Sequence, residues 1–133
     1  MITVAGREAD IVGISIGTSE TTRRRLAWLR EGAQERFDRL ELATVVFEVE
    51  ITDQQKAVAQ RIASLHQTIP GELPPPRTPE EVLDSLQILI GTEDQIVETL
   101  LDRRERFGFS YIQIAAGRYL ETFAPIVARL AGK

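Results

Sequence analysis

The sequence contains no cysteine, and its single histidine is His66. The lack of cysteine excludes a disulfide bond, a thiolate nucleophile and any zinc site with thiolate ligands. One imidazole is also too few for a histidine-rich metal cluster. A metal-dependent activity would therefore have to rely on carboxylate ligands alone.

Long apolar runs are absent as well, since no segment approaches the roughly 20 consecutive apolar residues that cross a bilayer. The N-terminal stretch MITVAGREAD places Arg7, Glu8 and Asp10 where a signal peptide needs its apolar core. The formal net charge of −4 argues against a nucleic-acid partner. We therefore predict a cytoplasmic protein that binds neither membranes nor nucleic acids.

Three segments have the residue pattern of β-strands. Ala9–Gly17 is a short apolar run punctuated by glycine, which is typical of a strand buried on both faces. Leu40–Ile51 alternates between two faces, and Phe109–Gly117 is a second short apolar run. In Leu40–Ile51 one face would carry Leu42, Thr44, Val46, Glu48 and Glu50.

Helices are predicted between these strands, and the one from Thr92 to Gly108 has the clearest boundaries. Thr92 and Gln95 fit a capping box, in which each residue's side chain binds the other's backbone N–H. Gly108 follows the last helical turn, where a left-handed residue is favoured. Further helices are predicted to begin at Thr18 or Ser19, at Asp53 (running to about His66) and at Thr78.

Strands that alternate with helices indicate right-handed crossovers and a parallel sheet, so the predicted fold class is α/β. A length of 133 residues suits one domain, which we assign to residues 1–133. Three parallel strands alone leave two sheet edges and part of a face uncovered. We therefore expect either a homodimer or a partner that supplies the missing structure.

Five stretches carry a resemblance to a known family. They are READIVGI, LAWLREGAQERFDRLELATVVFEVEITD, TPEEVLDS, LIGTEDQIVETLLDRRERFGFSYIQI and ETFAPIVARLAG. In this order they resemble the C-terminal part of luciferase-like oxidoreductases, and above all the members that depend on the deazaflavin coenzyme F-420. The resemblance implies a partial (β/α) TIM-type barrel of about three βα units, with Met1 in the helix that precedes the sixth strand.

The same resemblance implies a flavin or deazaflavin oxidoreductase or monooxygenase whose cofactor is F-420 or FMN. In the family, the substrate pocket and a glycine-rich phosphate loop come from earlier strands, which this sequence lacks. No catalytic residue is therefore assigned, and we expect the chain to be inactive alone. The alternative is a non-enzymatic α/β interaction domain that self-associates and retains only the scaffold.

Candidate cofactor-binding residues follow from the rule that barrel enzymes place their chemistry at the C-terminal ends of the strands. In the first strand these are Gly13, Ser15 and Gly17, whose backbone could approach a phosphate or a flavin ring. A plain tight turn is an equally good interpretation. At the end of the last strand the candidate is Gln113.

Glu48 and Glu50 end the second predicted strand and share one of its faces. In a closed barrel they would point inward near the mouth, where two carboxylates could perturb each other for acid–base work. The simpler alternative is that both are solvated on an unclosed sheet, because carboxylates resist burial without partners. Two aromatic residues, Trp28 and Tyr111, are predicted to pack rather than to stack on a cofactor.

Overall fold

The computed structural model describes residues 1–14, 16–65, 76–115 and 117–133. Ser15, His66 and most of the proline-rich stretch after it lie outside the described residues. The helices are α1 (Ile2–Glu8), α2 (Ser19–Ala33), α3 (Gln55–Leu65), α4 (Pro79–Asp84), α5 (Glu93–Phe107) and α6 (Leu120–Leu130). The strands are β1 (Ile11–Gly13), β2 (Glu41–Val46), β3 (Glu48–Ile51), β4 (Ile88–Gly91) and β5 (Phe109–Ile114). Two 3-10 helices cover Gln34–Arg39 and Gly117–Tyr119.

The strands form two parallel sheets. Sheet A has the strand order β1–β2–β5, and sheet B pairs β3 with β4. Both sheets are open, so within the described ranges the chain does not close a barrel. Parallel strands joined through helices confirm the α/β class and the partial barrel, and α1 precedes β1 as the family resemblance implied.

The single strand predicted over Leu40–Ile51 is wrong, because this segment forms two strands in different sheets. Phe47 separates β2 from β3, and its backbone N–H donates to the carbonyl oxygen of Gln87 at 2.9 Å. The alternation of burial is also interrupted there. Val46 and Val49 are buried while Phe47 is 47% exposed, so residues after Phe47 do not continue the faces of β2.

One face of sheet A is covered by helices. From the alternation of the sequence, Leu42, Thr44 and Val46 were expected to share the face of Glu48 and Glu50 and to point into a barrel. That expectation is wrong, since all three are buried on the helix side. Alternation correctly grouped these residues but did not indicate which group the helices cover. One apolar cluster joins Leu42 to Leu29, Phe107 and Phe109, and a second joins Val46 to Ile96, Leu100 and Ile126.

Both predicted ends of α5 are confirmed. The Thr92 hydroxyl accepts a hydrogen bond from the Gln95 backbone N–H at 3.3 Å, and the Gln95 side chain accepts one from the Thr92 N–H at 2.9 Å. Gly108 has a left-handed conformation with φ of 79°. The turn at Gly108 lets the chain pass directly from α5 into β5.

Helices α1 and α2 cross at very short range because of Gly6 and Gly32. A Cβ atom on Gly32 would lie 2.0 Å from the carbonyl oxygen of Thr3, and one on Gly6 would lie 2.4 Å from that of Leu29. Both contacts are far shorter than non-bonded atoms tolerate. The two glycines therefore permit a backbone-to-backbone crossing that no larger residue allows.

Strand β4 was not predicted from the sequence. The segment that leads into β4 is bound by a buried arginine of α5. Arg103 is 5% exposed. Its guanidinium donates hydrogen bonds to the carbonyl oxygens of Ser85 at 2.8 Å, Leu86 at 3.0 Å and Ile88 at 3.3 Å. Because buried carbonyl oxygens need donors, the arginine stabilises the path that this segment takes beside α5.

Candidate functional site

The face of sheet A that the helices leave uncovered is the main candidate for a functional surface. We call it the open face. Its strands are held in register by the pairs Ile11–Glu41, Gly13–Ala43, Ala43–Tyr111 and Val45–Gln113. Ile11 is 61% exposed and Tyr111 is 55% exposed. The open face consists of Ile11, Gly13, Glu41, Ala43, Val45, Tyr111 and Gln113.

The C-terminal ends of the strands in sheet A lie side by side at one edge of the open face. Pairing extends one residue past two of the strands: the Ile14 N–H donates to Ala43 at 2.8 Å and the Ala115 N–H donates to Val46 at 2.8 Å. Gly13 pairs with Ala43 and Gln113 pairs with Val45, so both lie on the same face of the sheet. A Cβ atom built on Gly13 meets no atom of the described residues within 4 Å, so they leave the surface above this glycine open.

The turn from β1 into α2 already has an anionic group at the helix N-terminus. The Asp84 carboxylate accepts a hydrogen bond from the Ser19 backbone N–H at 2.9 Å and another from the Ser19 hydroxyl. The Leu86 N–H donates to the Gly17 carbonyl at 3.0 Å. A phosphate at Gly17 would have to displace Asp84, so the tight-turn interpretation is the simpler one for this residue.

Glu48 and Glu50 lie on β3 in sheet B, away from the open face. Glu50 forms an ion pair with Arg61 of α3 at 2.5 Å. Glu48 is exposed to solvent. Glu48 therefore fits the interpretation as a solvated side chain on an unclosed sheet, whereas Glu50 is half-buried and paired with Arg61.

A shallow cleft of about 250 Å³ lies beside Glu48. It is lined by Phe47, Glu48, Ile62, Leu65, Gln87 and Ile88.

The charge of Glu48 also acts on Arg118, which follows β5. Arg118 donates a hydrogen bond to the Tyr119 hydroxyl at 2.7 Å. That bond raises the pKa of the Arg118 guanidinium, and the charge of Glu48 adds a smaller effect in the same direction.

Tyr111 is the open-face residue that sequence reasoning misjudged. Strict alternation places it with Phe109, which is buried, yet Tyr111 is on the opposite face. The reason is an irregularity in register, where Leu42 and Ala43 are adjacent but pair with Phe109 and Tyr111. Such a bulge reverses the faces, and nothing in the local residue types indicates it. Trp28 is likewise half-exposed on α2 instead of packed.

Neither a metal cluster nor a membrane-spanning helix is found in the part of the chain that the structure describes. Within residues 1–14, 16–65, 76–115 and 117–133, no group of three or more acidic, histidine or cysteine side chains could hold a metal ion. Over the same ranges, no helix has the length and apolar character needed to cross a bilayer.

Comparison with known sequences gives no match to a protein-family model or to a curated protein. Solved structures do match. An F420-dependent secondary alcohol dehydrogenase in complex with an F420–acetone adduct superposes with a TM-score of 0.64 at 11% identity, over 96% of this chain and 44% of its own. EDTA monooxygenase from Chelativorans sp. BNC1 gives 0.60 at 20% identity, over 97% and 43%. Long-chain alkane monooxygenase gives 0.57 at 13% identity, over 96% and 36%.

These matches define the class of fold. All three proteins are luciferase-like, so the resemblance drawn from the sequence is confirmed at the level of the fold. Nearly all of this chain superposes, but it spans less than half the length of each match. The described chain therefore shares its fold with part of each matched structure, and its strands form open sheets in the described ranges.

Proposed function

We propose that this chain is a partial luciferase-like oxidoreductase that contributes to flavin or deazaflavin chemistry only when the remaining strands of the barrel are present. The observation that carries the proposal is the superposition of almost the entire chain on less than half of three oxidoreductases. The described strands form an open sheet whose C-terminal edge borders Gly13 and Gln113. In barrels this edge surrounds the active site.

The open face fits one side of a flat cofactor. Gly13 and Ala43 keep its centre shallow, so a ring system can approach the sheet backbone there. The exposed amide of Gln113 can both donate and accept hydrogen bonds. F-420 or FMN would supply the hydride chemistry when bound, while these residues would only support the ring. Most of an enclosing pocket would have to come from other strands.

The proposal is tested by titrating the purified chain with FMN and with F-420 while recording absorbance and fluorescence. We expect no spectral change and no turnover of reduced cofactor, because one wall of a pocket does not enclose the ring. Turnover by the pure chain would refute the requirement for further strands. A spectral change at the wild-type chain that Gln113→Ala does not weaken would refute the assigned contact.

A non-enzymatic, self-associating interaction domain is the second candidate function. It is favoured by the half-exposed apolar groups of Ile11 and Tyr111 and by the unpaired outer edges of β1 and β5 in the described chain. Light scattering at micromolar concentration separates the two candidates. A stable homodimer without affinity for either cofactor would favour this alternative.

A further inference from the structure

A groove lies between α2 and α5 at the N-terminal ends of β2 and β5, beside Leu42 and Gly108. Its volume is about 510 Å³, which is within the range of pockets that hold small molecules. It shares no residue with the open face. A ligand in this groove would therefore be separate from a ring system on the open face.

The floor of the groove is apolar and reaches the hydrophobic core. Leu42 and Phe107 line it and are buried members of one core cluster. Leu26 and Leu40 also line it, pack against the same cluster and are only partly buried. Contact with the apolar body of a ligand would remove more of this surface from water, which is favourable.

The walls of the groove carry three arginines. Arg23 and Arg30 are seven residues apart on one face of α2, and Arg106 is on α5. The Arg30 guanidinium lies 4.3 Å from the centre of the Phe37 ring, and that of Arg106 lies 4.9 Å from the centre of the Phe107 ring. Stacking uses the flat face of a guanidinium, so its in-plane N–H donors can still bind an oxyanion.

Arg23 differs from the other two arginines because its own helix does not stabilise it. Arg30 and Arg106 are in the last turns of their helices, where a cation complements the helix dipole. Arg23 is in the first half of α2, where it gains nothing from that dipole. It is exposed and forms no ion pair within the described ranges. An anionic ligand in the groove would supply the counter-charge.

Two acidic residues limit the charge that the groove can accept. Asp38 and Glu105 line it as well, so three guanidiniums and two carboxylates leave a net charge of +1. The ion pair of Arg106 with Asp102 at 2.9 Å reduces this excess. A ligand with one negative charge therefore fits better than a phosphate ester, which carries nearly two at neutral pH.

We propose that this groove binds a small organic carboxylate with an apolar or aromatic body. The carboxylate accepts hydrogen bonds from guanidiniums on the walls, because arginine matches the geometry of its two oxygens. The apolar body lies on the floor, where Leu26 and Leu40 are partly exposed. This site is independent of the proposed function and adds a second class of ligand.

The test titrates the complete 133-residue chain with four probes and follows the backbone amide signals by nuclear magnetic resonance. The probes are phenylacetate, its neutral amide phenylacetamide, phenyl phosphate, and acetate, which lacks the apolar body. We expect phenylacetate to bind about fivefold or more tightly than each of the others, since it alone combines one negative charge with an aromatic ring. The shifted signals should be those of residues around the groove.

Three charge variants test the arginines. Arg23→Gln and Arg30→Gln should each weaken phenylacetate binding about three- to fivefold, which is the effect of one partly exposed ion pair. Arg24→Gln is the matched control. Arg24 is exposed on α2 and pairs with Glu20 at 3.3 Å, and it does not line the groove, so binding should be unchanged.

Two further variants act without removing an arginine. Ala27→Trp should abolish binding, because Ala27 is exposed on the wall and an indole there would occupy the groove. Asp38→Asn should strengthen binding about threefold by removing a repulsive charge. Each variant should keep the wild-type circular dichroism spectrum and melting temperature, so that a change in affinity is not attributed to unfolding.

Four results would overturn the inference. They are no binding of phenylacetate, equal binding of phenylacetamide, tighter binding of phenyl phosphate, and a loss in Arg24→Gln as large as that in Arg23→Gln. Equal binding of the amide would show a purely apolar groove. Tighter binding of the phosphate would assign the groove to a different class of anion.

Discussion

Replacing Arg103 by methionine should destabilise the fold far more than the same replacement at an exposed arginine. Arg103 is 5% exposed and supplies donors to three backbone carbonyls. Methionine retains an unbranched apolar stem of similar reach but donates no hydrogen bond. The substitution therefore removes the donors while retaining much of the packing.

The magnitude follows from two opposing contributions. Burial lowers the pKa of Arg103 from its ordinary value to about 10, with partial opposition from the charges of Asp84 and Asp102. At about 1.36 kcal/mol per pKa unit, this corresponds to roughly 3 kcal/mol of cost for the buried charge, which methionine would not incur. Three hydrogen bonds from a charged donor contribute about 1.5–3 kcal/mol each, and the long one to Ile88 lies at the weak end. The net loss should be about 2–4 kcal/mol.

Urea unfolding followed by circular dichroism measures this loss directly. Arg106→Met is the matched control, because Arg106 lies one turn away, is partly exposed and forms an ion pair with Asp102 at 2.9 Å. It should cost about 0.5 kcal/mol or less, as exposed helix pairs do. If Arg103→Met is as stable as this control, the three carbonyls do not depend on the guanidinium and the reasoning is wrong.

The effect of pH gives a second check on Arg103. Its pKa of about 10 in the folded state is below the unfolded value, so in the window between these values the unfolded chain binds more protons and stability contributed by this group rises with pH. Near neutrality both states are fully protonated. The difference between wild type and Arg103→Met should therefore stay constant between about pH 6 and pH 8.

Three further substitutions test other parts of the fold by thermal or urea unfolding. Gly32→Ala should destabilise by about 2 kcal/mol or more despite its better helix propensity, because the new methyl would overlap the Thr3 carbonyl; a stabilised variant would refute the close crossing. Thr44→Val should be neutral or stabilising by about 1 kcal/mol, since the Thr44 hydroxyl is buried without a hydrogen-bond partner among the described residues; a clear loss would reveal a partner. Thr92→Ala should cost about 1 kcal/mol through the lost cap, and a variant as stable as the wild type would show that the cap does not contribute.

Features set by neighbours in sequence could be predicted, and α5 shows why. Its capping box joins Thr92 to a residue three positions later, and its end depends on the backbone freedom of Gly108 alone. Both are local, so the residue types specify them without knowledge of the rest of the fold. Alternation similarly identified which side chains of β2 share a face.

The errors occurred where distant contacts decide the outcome. Phe47 leaves sheet A because Gln87, forty positions later, provides a hydrogen-bond acceptor. Strand β4 has four residues, all buried, and so short an apolar run cannot be distinguished from a loop or a helix segment by its period. The open face was misassigned because both faces of β2 carry apolar residues, and helix packing alone selects between them.

The same long-range contacts determine how the candidate site would respond to a substitution elsewhere in the fold. The Asp84 carboxylate accepts a hydrogen bond from Ser19 at the start of α2, and the Leu86 N–H donates to Gly17. Arg103 donates to the carbonyl oxygens of Ser85 and Leu86. The β1–α2 turn at the C-terminal edge of sheet A is therefore tied to α5 through the segment after α4. Residues within the strands, such as Gln113, are held by the backbone ladder with β2 instead. Removing the Arg103 hydrogen bonds, as in Arg103→Met, should therefore displace the turn at Gly17 before it changes the open face. The strand ladder and the helix-side core remain in place.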